Sequence, residues 1–553
     1  MLSVALSFLY IGLTTFLLGF SVRLGVKKFF GYQIQEVSGL FYAGLAVATV
    51  YAGLYSLFSG VGLGANIGLV LAGAVIAVSG RKELGKYLSE LKRQMTFGKC
   101  LFFLILFLLF SYGTSRGYLH VDSGLYHAQA IRWIEEYGVV KGLANLHCRL
   151  AYNSSAFVLT ALYSMSFLIG QSLHTAAGFM ALVLAGKAFS VVEVFKRKRV
   201  LVSDFVKVAL LFYLSMIYTE MMSPASDYFA MLFLFYIVLK WVELEEARET
   251  EITPFGMLCV LLAVTVTIKL SAVIMLVLVI KPAVVLLKEK RYAQIGMYLF
   301  LGILAVAPYL LRNMILSGWL VYPFPAIDLF SFDWKIPKGE ALYDAEEIKV
   351  YAKGMTDVLL KDTPMREWLS AWFTGLKGLE KIWVLGSVLS VAAGVVAIVV
   401  SVWEKKKEDL NLGFMEAVLI AGYLFWQLGT PLVRYGYIYI LAFPFFTAGL
   451  YFVRIFGKNK NSYLVFGALL VAFFAYKGVN LVGDIRNYSE KEYYVWQQDY
   501  YTGPYESYEI EGVEFYVPLE YGQIGYEMFP SAPTKRFDVE FRGETLREGF
   551  RRK

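Results

Sequence analysis

Three of the chain's four histidines fall between Ser115 and Ser155, in SRGYLHVDSGLYHAQAIRWIEEYGVVKGLANLHCRLAYNSS, together with Asp122, Glu135, Glu136 and Arg149. Long apolar runs lie on both sides of this stretch. Ionisable groups gathered in so apolar a chain are costly unless they have work or partners, so they mark a site. Asp122, just beyond an apolar run, suits a general base: a carboxylate within hydrogen-bond reach of an acceptor hydroxyl can take its proton. Tyr126 and His127 are placed to orient it or to bind substrate. Asp122 and Ser123 also make an ordinary helix start, and the two roles are compatible. His147 and Arg149, two apart, point the same way if the backbone is extended, and an arginine forks well onto phosphate oxygens. A loop arginine paired with Glu135 or Glu136 is the plainer reading.

Four further groups lie far along the chain. Asp227 ends the turn Ser223-Pro-Ala-Ser-Asp227, and an aspartate at such a depth needs a partner. Lys269 interrupts the apolar stretch Thr253–Leu287 and either snorkels to the interface or meets an anion. Arg312 and Asn313 follow an apolar run, and Arg434 closes another in Pro431-Leu-Val-Arg434-Tyr435. Single arginines at helix ends are commonly anchors; several cations on one face suit an anionic, lipid-linked phosphate. There is no GxxxxGK[ST], HExxH or strand-borne GxGxxG, and Cys100, Cys148 and Cys259 are too dispersed for a metal or disulfide framework. No cofactor is implied, although a divalent ion on Asp122 and Asp227 stays open.

The elements that must position these groups are membrane helices. Of 553 residues, 58% are hydrophobic and only 17% charged, and mean hydropathy is +0.57. Soluble domains run nearer 45–50% apolar and about 25% charged. Runs of roughly 20 apolar residues match a hydrocarbon core about 30 Å thick. The chain is therefore read as an all-α polytopic membrane protein of 13–14 transmembrane helices. The net charge of +8 belongs to loops that set topology, not to nucleic-acid binding. Basic loops at Arg23–Lys28, Arg81–Arg93, Lys196–Arg199, Lys288–Arg291, Lys405–Lys407 and Arg454–Lys460 are assigned to the cytoplasm, which puts every candidate site on the outer face. Parity allows only one crossing between Ser155 and Val194, so 155–170 is expected as a helix at the outer interface, with Leu125–Tyr137 as a second. Residues 483–553 alternate like short strands and predict a small outer α/β or β appendage. The expected division is 1–98, N-terminal helices; 99–482, a core with outer loops 115–173 and 312–380; and 483–553, soluble.

This order of parts resembles the GT-C superfamily of integral-membrane glycosyltransferases: a membrane helix, a large first outer loop opening on an acidic residue, a loop-borne interfacial helix, a second one, then a crossing helix ending in a basic turn. Asp122–Tyr137, Ser155–Gly170 and His174–Arg199 follow it, and Arg312–Pro323 is similar to the outer loop entry of many such enzymes. The segments DSGLYHAQAIRWI, VVKGLANLHCRLAYNSS, SPASD, TIKLS and FPSAPTKRFDVEFRGETLREGF also resemble a bacterial family of polytopic membrane proteins with no assigned substrate. The resemblance implies transfer of a sugar, with inversion, from a polyprenyl-phosphate donor to a glycan or lipid acceptor at the outer face of a bacterial inner membrane, with Asp122 as base. Many members carry two adjacent acidic residues where this chain has Asp122-Ser123, leaving Asp227 as the candidate second acid. The competing readings are a transporter or flippase of a lipid-linked or polar substrate, which would need charges near the midplane and usually a repeat, and a glycan polymerase or ligase of another fold.

Overall fold

The computed structural model describes residues 1–404, 407–487, 491–520 and 522–553. The helices, in chain order, are α1 Leu2–Phe30, α2 Val37–Tyr55, α3 Leu63–Ser79, α4 Arg81–Gln94, α5 Phe97–Ser115, α6 Ala128–Glu136, α7 Ser155–Tyr163, α8 Ala176–Arg197, α9 Val202–Met216, α10 Ser226–Glu246, α11 Thr253–Ile268, α12 Leu270–Lys288, α13 Tyr292–Ser317, α14 Lys338–Ala352, α15 Met365–Gly375, α16 Gly378–Glu404, α17 Lys407–Gly429, α18 Ile438–Phe456 and α19 Ser462–Asn487. Among the described residues ten of these are long and apolar enough to cross a membrane, or eleven if α3 and α4, bent by 86° at their junction, count as one broken span. The protein is a multi-pass helical membrane protein.

Four helices that the sequence reading counts as crossings fall outside the ten: α3, which passes only as half of the bent pair, and α9, α10 and α11. α9 and α11 have 15 and 16 residues. α10 has 21, but carries Asp227 at its start and Lys240, Glu243, Glu245 and Glu246 at its end. Between those ends every side chain from Tyr228 to Leu239 is buried, as for a helix apolar on all sides and enclosed by others. α10 is the core of the bundle.

Its two ends carry the polar chemistry. At one end Glu243 and Lys240 join a network: Lys187 Nζ lies 2.6 Å from Glu243 and is also paired with Glu36, Lys240 lies 2.7 Å from Glu36, and Lys207 3.2 Å from Glu243. Lys27–Glu83 and Arg197–Asp204 belong to the same basic end. At the other end lie Asp227, the loop between α5 and α8, and the C-terminal region. Close approach of α1 and α2 depends on small residues: a Cβ on Gly19 or Gly44 would sit 1.8 Å from the carbonyl oxygen of Leu40 or Thr15.

The expected interfacial helices differ in their surroundings. α7 is too short to cross, as expected, but all nine residues are buried against protein. α6 turns its polar face to the tail instead of water: Gln129 Nε2 donates to Met528 O at 2.7 Å, and Arg132 Nη1 donates to Tyr526 O and Glu527 O at 2.8 Å. The tail holds two hairpin-like pairs. β1 Tyr505–Ile510 and β2 Val513–Pro518 run antiparallel across Glu511-Gly512, both at positive φ, as a tight hairpin turn requires. β3 Val539–Phe541 pairs with β4 Phe550–Arg552. Rings of Phe515, Phe541 and Phe550 make its small core.

Candidate functional site

Asp122 leads into a π-helical turn, Ser123–His127, that opens α6. Three distant segments converge on it. Arg434, from the short turn Val433–Tyr435 between α17 and α18, places Nη2 2.7 Å from Asp122 Oδ2 and Nε 3.0 Å from Asp227 Oδ2. Asp227 lies in the first turn of α10, where the helix dipole favours a carboxylate. Its other oxygen is paired with Lys269 Nζ. Lys269 sits at the extended joint between α11 and α12, as the length of the Thr253–Leu287 stretch predicts, with Nζ 3.5 Å from the centroid of the Tyr435 ring, a cation–π contact.

Two carboxylates and two cations thus make a neutral cluster. Low-dielectric surroundings make unpaired charge expensive, so each cation is shared between acceptors. The cluster is graded in access. Asp227's side chain is 8% exposed, while those of Asp122 and Arg434 are 20% and 22% exposed. Asp122 and Arg434 form the reachable edge; Asp227 and Lys269 form the floor.

His120 completes the edge. Its Nε2 contacts Arg434 Nη1, and its Nδ1 lies 3.6 Å from Asp122 Oδ2. A guanidinium only donates, and the Asp122 backbone N–H points at Nδ1 at 3.1 Å, so both ring nitrogens face donors. Burial and the Arg434 charge push the His120 pKa below its ordinary value, which keeps the ring neutral. Ser223 Oγ lies 2.9 Å from Ser123 Oγ and accepts the His120 backbone N–H at 3.3 Å, tying the Ser223–Asp227 turn to the loop.

The remaining candidates surround this cluster. Tyr126 and His127 lie behind Asp122 in an aromatic layer, with Tyr126 edge-on to His127 at 4.4 Å and to Tyr152 at 5.5 Å. Burial pushes His127 down to about 3. His147 is buried, is likewise pushed down to about 3, and bonds the Leu125 backbone. Arg149 lies 3.9 Å from Glu347 of α14 and feels the charge of Asp122; Tyr152 donates to Asp344 of α14 at 2.8 Å. Arg312 is buried against neutral groups, donating through Nε to Asn153 Oδ1 at 2.8 Å and through Nη1 to Ser56 Oγ at 2.6 Å. Asn313 accepts from Asn153 at 3.1 Å and donates to Leu320 O at 3.2 Å. Neither touches Asp122. They connect to it through the chain, because Ser154, next to Asn153, bonds the Ile268 carbonyl beside Lys269 at 2.7 Å. Trp372, buried in α15, donates through Nε1 to Pro431 O at 2.8 Å and so braces the turn that carries Arg434.

Sequence reasoning did not assign His120, Ser223 or Tyr435 to the site. His120 precedes Asp122 by two and Tyr435 follows Arg434 directly, so adjacency to a charged candidate was the available signal. Among the described residues no group of three or more His, Cys, Asp or Glu is placed to hold a metal.

Fold and site together define a multi-pass helical membrane protein with a charge-balanced site at one end of its bundle. Residues 1–441 match the family described as Domain of unknown function (DUF8201), and the chain belongs to that family. No curated protein and no solved structure matches it.

Proposed function

We propose that this protein is a GT-C-like membrane glycosyltransferase that moves a sugar from a polyprenyl-phosphate donor to a glycan or lipid acceptor on the extracytoplasmic face of a bacterial inner membrane. The observation that carries the reading is the convergence of Asp122, Arg434, Asp227 and Lys269 at one end of the bundle, opposite the basic end. The positive-inside tendency puts the basic end in the cytoplasm and the cluster outside. If the bent α3–α4 pair counts as one span and α9, α10 and α11 also cross, joining the same two ends, the passes number fourteen, within the 13–14 expected from the sequence.

The chemistry follows from the pairing. Arg434, bound to Asp122, occupies one of its carboxylate oxygens. A donor phosphate entering at the exposed edge offers Arg434 a better bidentate partner, and Asp122 is released. The acceptor hydroxyl gives its proton to Asp122 as its oxygen attacks the anomeric carbon. The bond from that carbon to phosphate oxygen breaks on the opposite face, which inverts the centre. The leaving polyprenyl phosphate carries the new charge, held by Arg434, while Lys269 and Asp227 anchor the guanidinium's other edge. His120, neutral and set between Arg434 and the Asp122 backbone N–H, holds the turn that carries the carboxylate.

The deciding experiment compares surface glycans and polyprenyl-linked sugars, by mass spectrometry, in cells lacking the protein and complemented with wild type or Asp122→Asn. The expected result is loss of a glycan product and build-up of the lipid-linked donor with Asp122→Asn at equal membrane level. Normal product from that variant overturns the base assignment.

The competing transporter reading lacks its signature on α10, whose charges stand at its two ends and not near the midplane. A transporter predicts substrate accumulation in proteoliposomes with no new covalent product.

A further inference from the structure

Glu416 lies in α17, six residues and about 9 Å along the helix from Leu410, where that span's apolar stretch begins. Its side chain is 0% exposed. A carboxylate there is expensive without a cation. The basic side chain of α18, Arg454, is already paired with Glu404 at 2.8 Å. The neighbouring joint Leu270–Val279 carries no titratable residue, and the titratable groups that α16 and α18 otherwise bring are Glu380 and Lys381 at the far end and the hydroxyls of Tyr439 and Tyr451. α10 adds Asp227, Lys240 and Glu243, each held in the clusters already described. Among the described residues no ion pair reaches Glu416.

The hydrogen bonds around Glu416 fit a neutral acid. Thr447 Oγ1 lies 2.7 Å from Glu416 Oε1 and 3.1 Å from the Phe443 carbonyl oxygen. A threonine hydroxyl has one proton to give. It goes to Glu416 Oε1, the shorter contact, which a neutral carboxyl can accept. Oε2 has no partner, which a neutral carboxyl tolerates far better than a charged one. The pocket is shaped for this group: a Cβ on Gly394 would sit 2.3 Å from Oε1, so a glycine on α16 makes the room.

We propose that Glu416 is a proton-binding site inside the membrane, a neutral carboxylic acid hydrogen-bonded to Thr447 at the junction of α16, α17 and α18. Its ligand is a proton, and it gives that proton up only when water or a cation reaches the junction. The site is remote from the Asp122 cluster and independent of the reaction assigned there.

The test is infrared spectroscopy of the purified full-length protein reconstituted in phosphatidylcholine vesicles at pH 7. The wild-type minus Glu416→Gln difference spectrum should show a protonated-carboxyl C=O band that shifts in D2O and is lost in the variant. Glutamine accepts from Thr447 as the acid does, so the variant's melting temperature should match wild type. Should Glu416→Gln fold poorly, Thr447→Val should move the same band to higher frequency by removing its partner. In wild type, dicyclohexylcarbodiimide, which adds to protonated buried carboxyls, should mass-label the Glu416 peptide. A carboxylate signal in place of the C=O band, or a C=O spectrum unchanged by both substitutions, overturns the proposal.

Discussion

Arg434 Nη2 sits 2.7 Å from Asp122 Oδ2, joining residues 312 positions apart. The same guanidinium reaches Asp227 at 3.0 Å, so one side chain links the first loop to the start of the core helix. A planar fork does this and an ammonium does not. Arg434→Lys should therefore retain charge and membrane level yet lower glycan product by at least about tenfold, a loss of roughly 1.4 kcal/mol in the transition state. Quantifying product per unit of membrane-embedded protein checks this.

The two carboxylates should separate by their stability cost. Removing the charge of Asp227 leaves Lys269 beside an uncharged amide on the buried floor, and breaking a buried pair costs about 3 kcal/mol or more. Asp122 is more exposed than Asp227, and its loss leaves Arg434 still paired with Asp227, so it costs less. Asp227→Asn should lower the thermal midpoint in detergent clearly more than Asp122→Asn, while both abolish product. Equal midpoints would remove the floor-and-edge distinction.

Much of this was legible before any coordinates, for a physical reason: bilayer length and charge placement are written into residue types. Asp122, Asp227, Lys269 and Arg434 each stand out because an ionisable group next to a long apolar run needs explaining, and all four meet. Their pairing was not legible, since nothing local relates position 122 to position 434. His147, Arg149, Arg312 and Asn313 carry the same residue types but bond loop backbone, α14 or neutral side chains, and type alone does not separate these fates. The polar face of α6 reads as solvent-facing by periodicity; the tail that covers it lies almost 400 residues away in sequence. The count of spans differed because α9, α10 and α11 are sheltered by other helices and need not meet the length and charge limits of a lipid-facing span.

Acid should destabilise the fold through its buried histidines. His127 and His147 are pushed from 6.5 down to about 3 by burial, so the folded state holds them neutral while the unfolded chain takes up protons near 6.5. Their stabilising contribution is complete above pH 6.5 and is lost as pH falls from there toward 3, at about 1.4 kcal/mol per pH unit for each. His147→Gln should remove one proton's worth of that slope. Midpoints measured between pH 7.5 and 4.5 test it; an unchanged slope would mean that His147 titrates normally.

The tail should govern the geometry of Asp122. Gly124, two residues on, donates no side chain to its neighbours but meets the tail closely: Gly525 N–H bonds the Gly124 carbonyl at 2.9 Å, and a Cβ on Gly124 would sit 1.9 Å from Gln523 Oε1. Farther along α6, Glu135 accepts from Ser172 at 2.8 Å and from the Tyr526 hydroxyl, and burial raises its pKa. Tyr526→Phe leaves a buried carboxyl oxygen without its donor, a cost of about 1–3 kcal/mol, and should expose the segment after residue 498 to limited proteolysis. Gly124→Val should loosen the same segment by pushing Gln523 away, and should lower product because the turn carrying Asp122 loses its cover. The double variant should add little to either single one, since both release the same docked surface. Full additivity in proteolysis rate would show that the tail is held at two independent points and that its hold on Gly124 does not depend on Glu135.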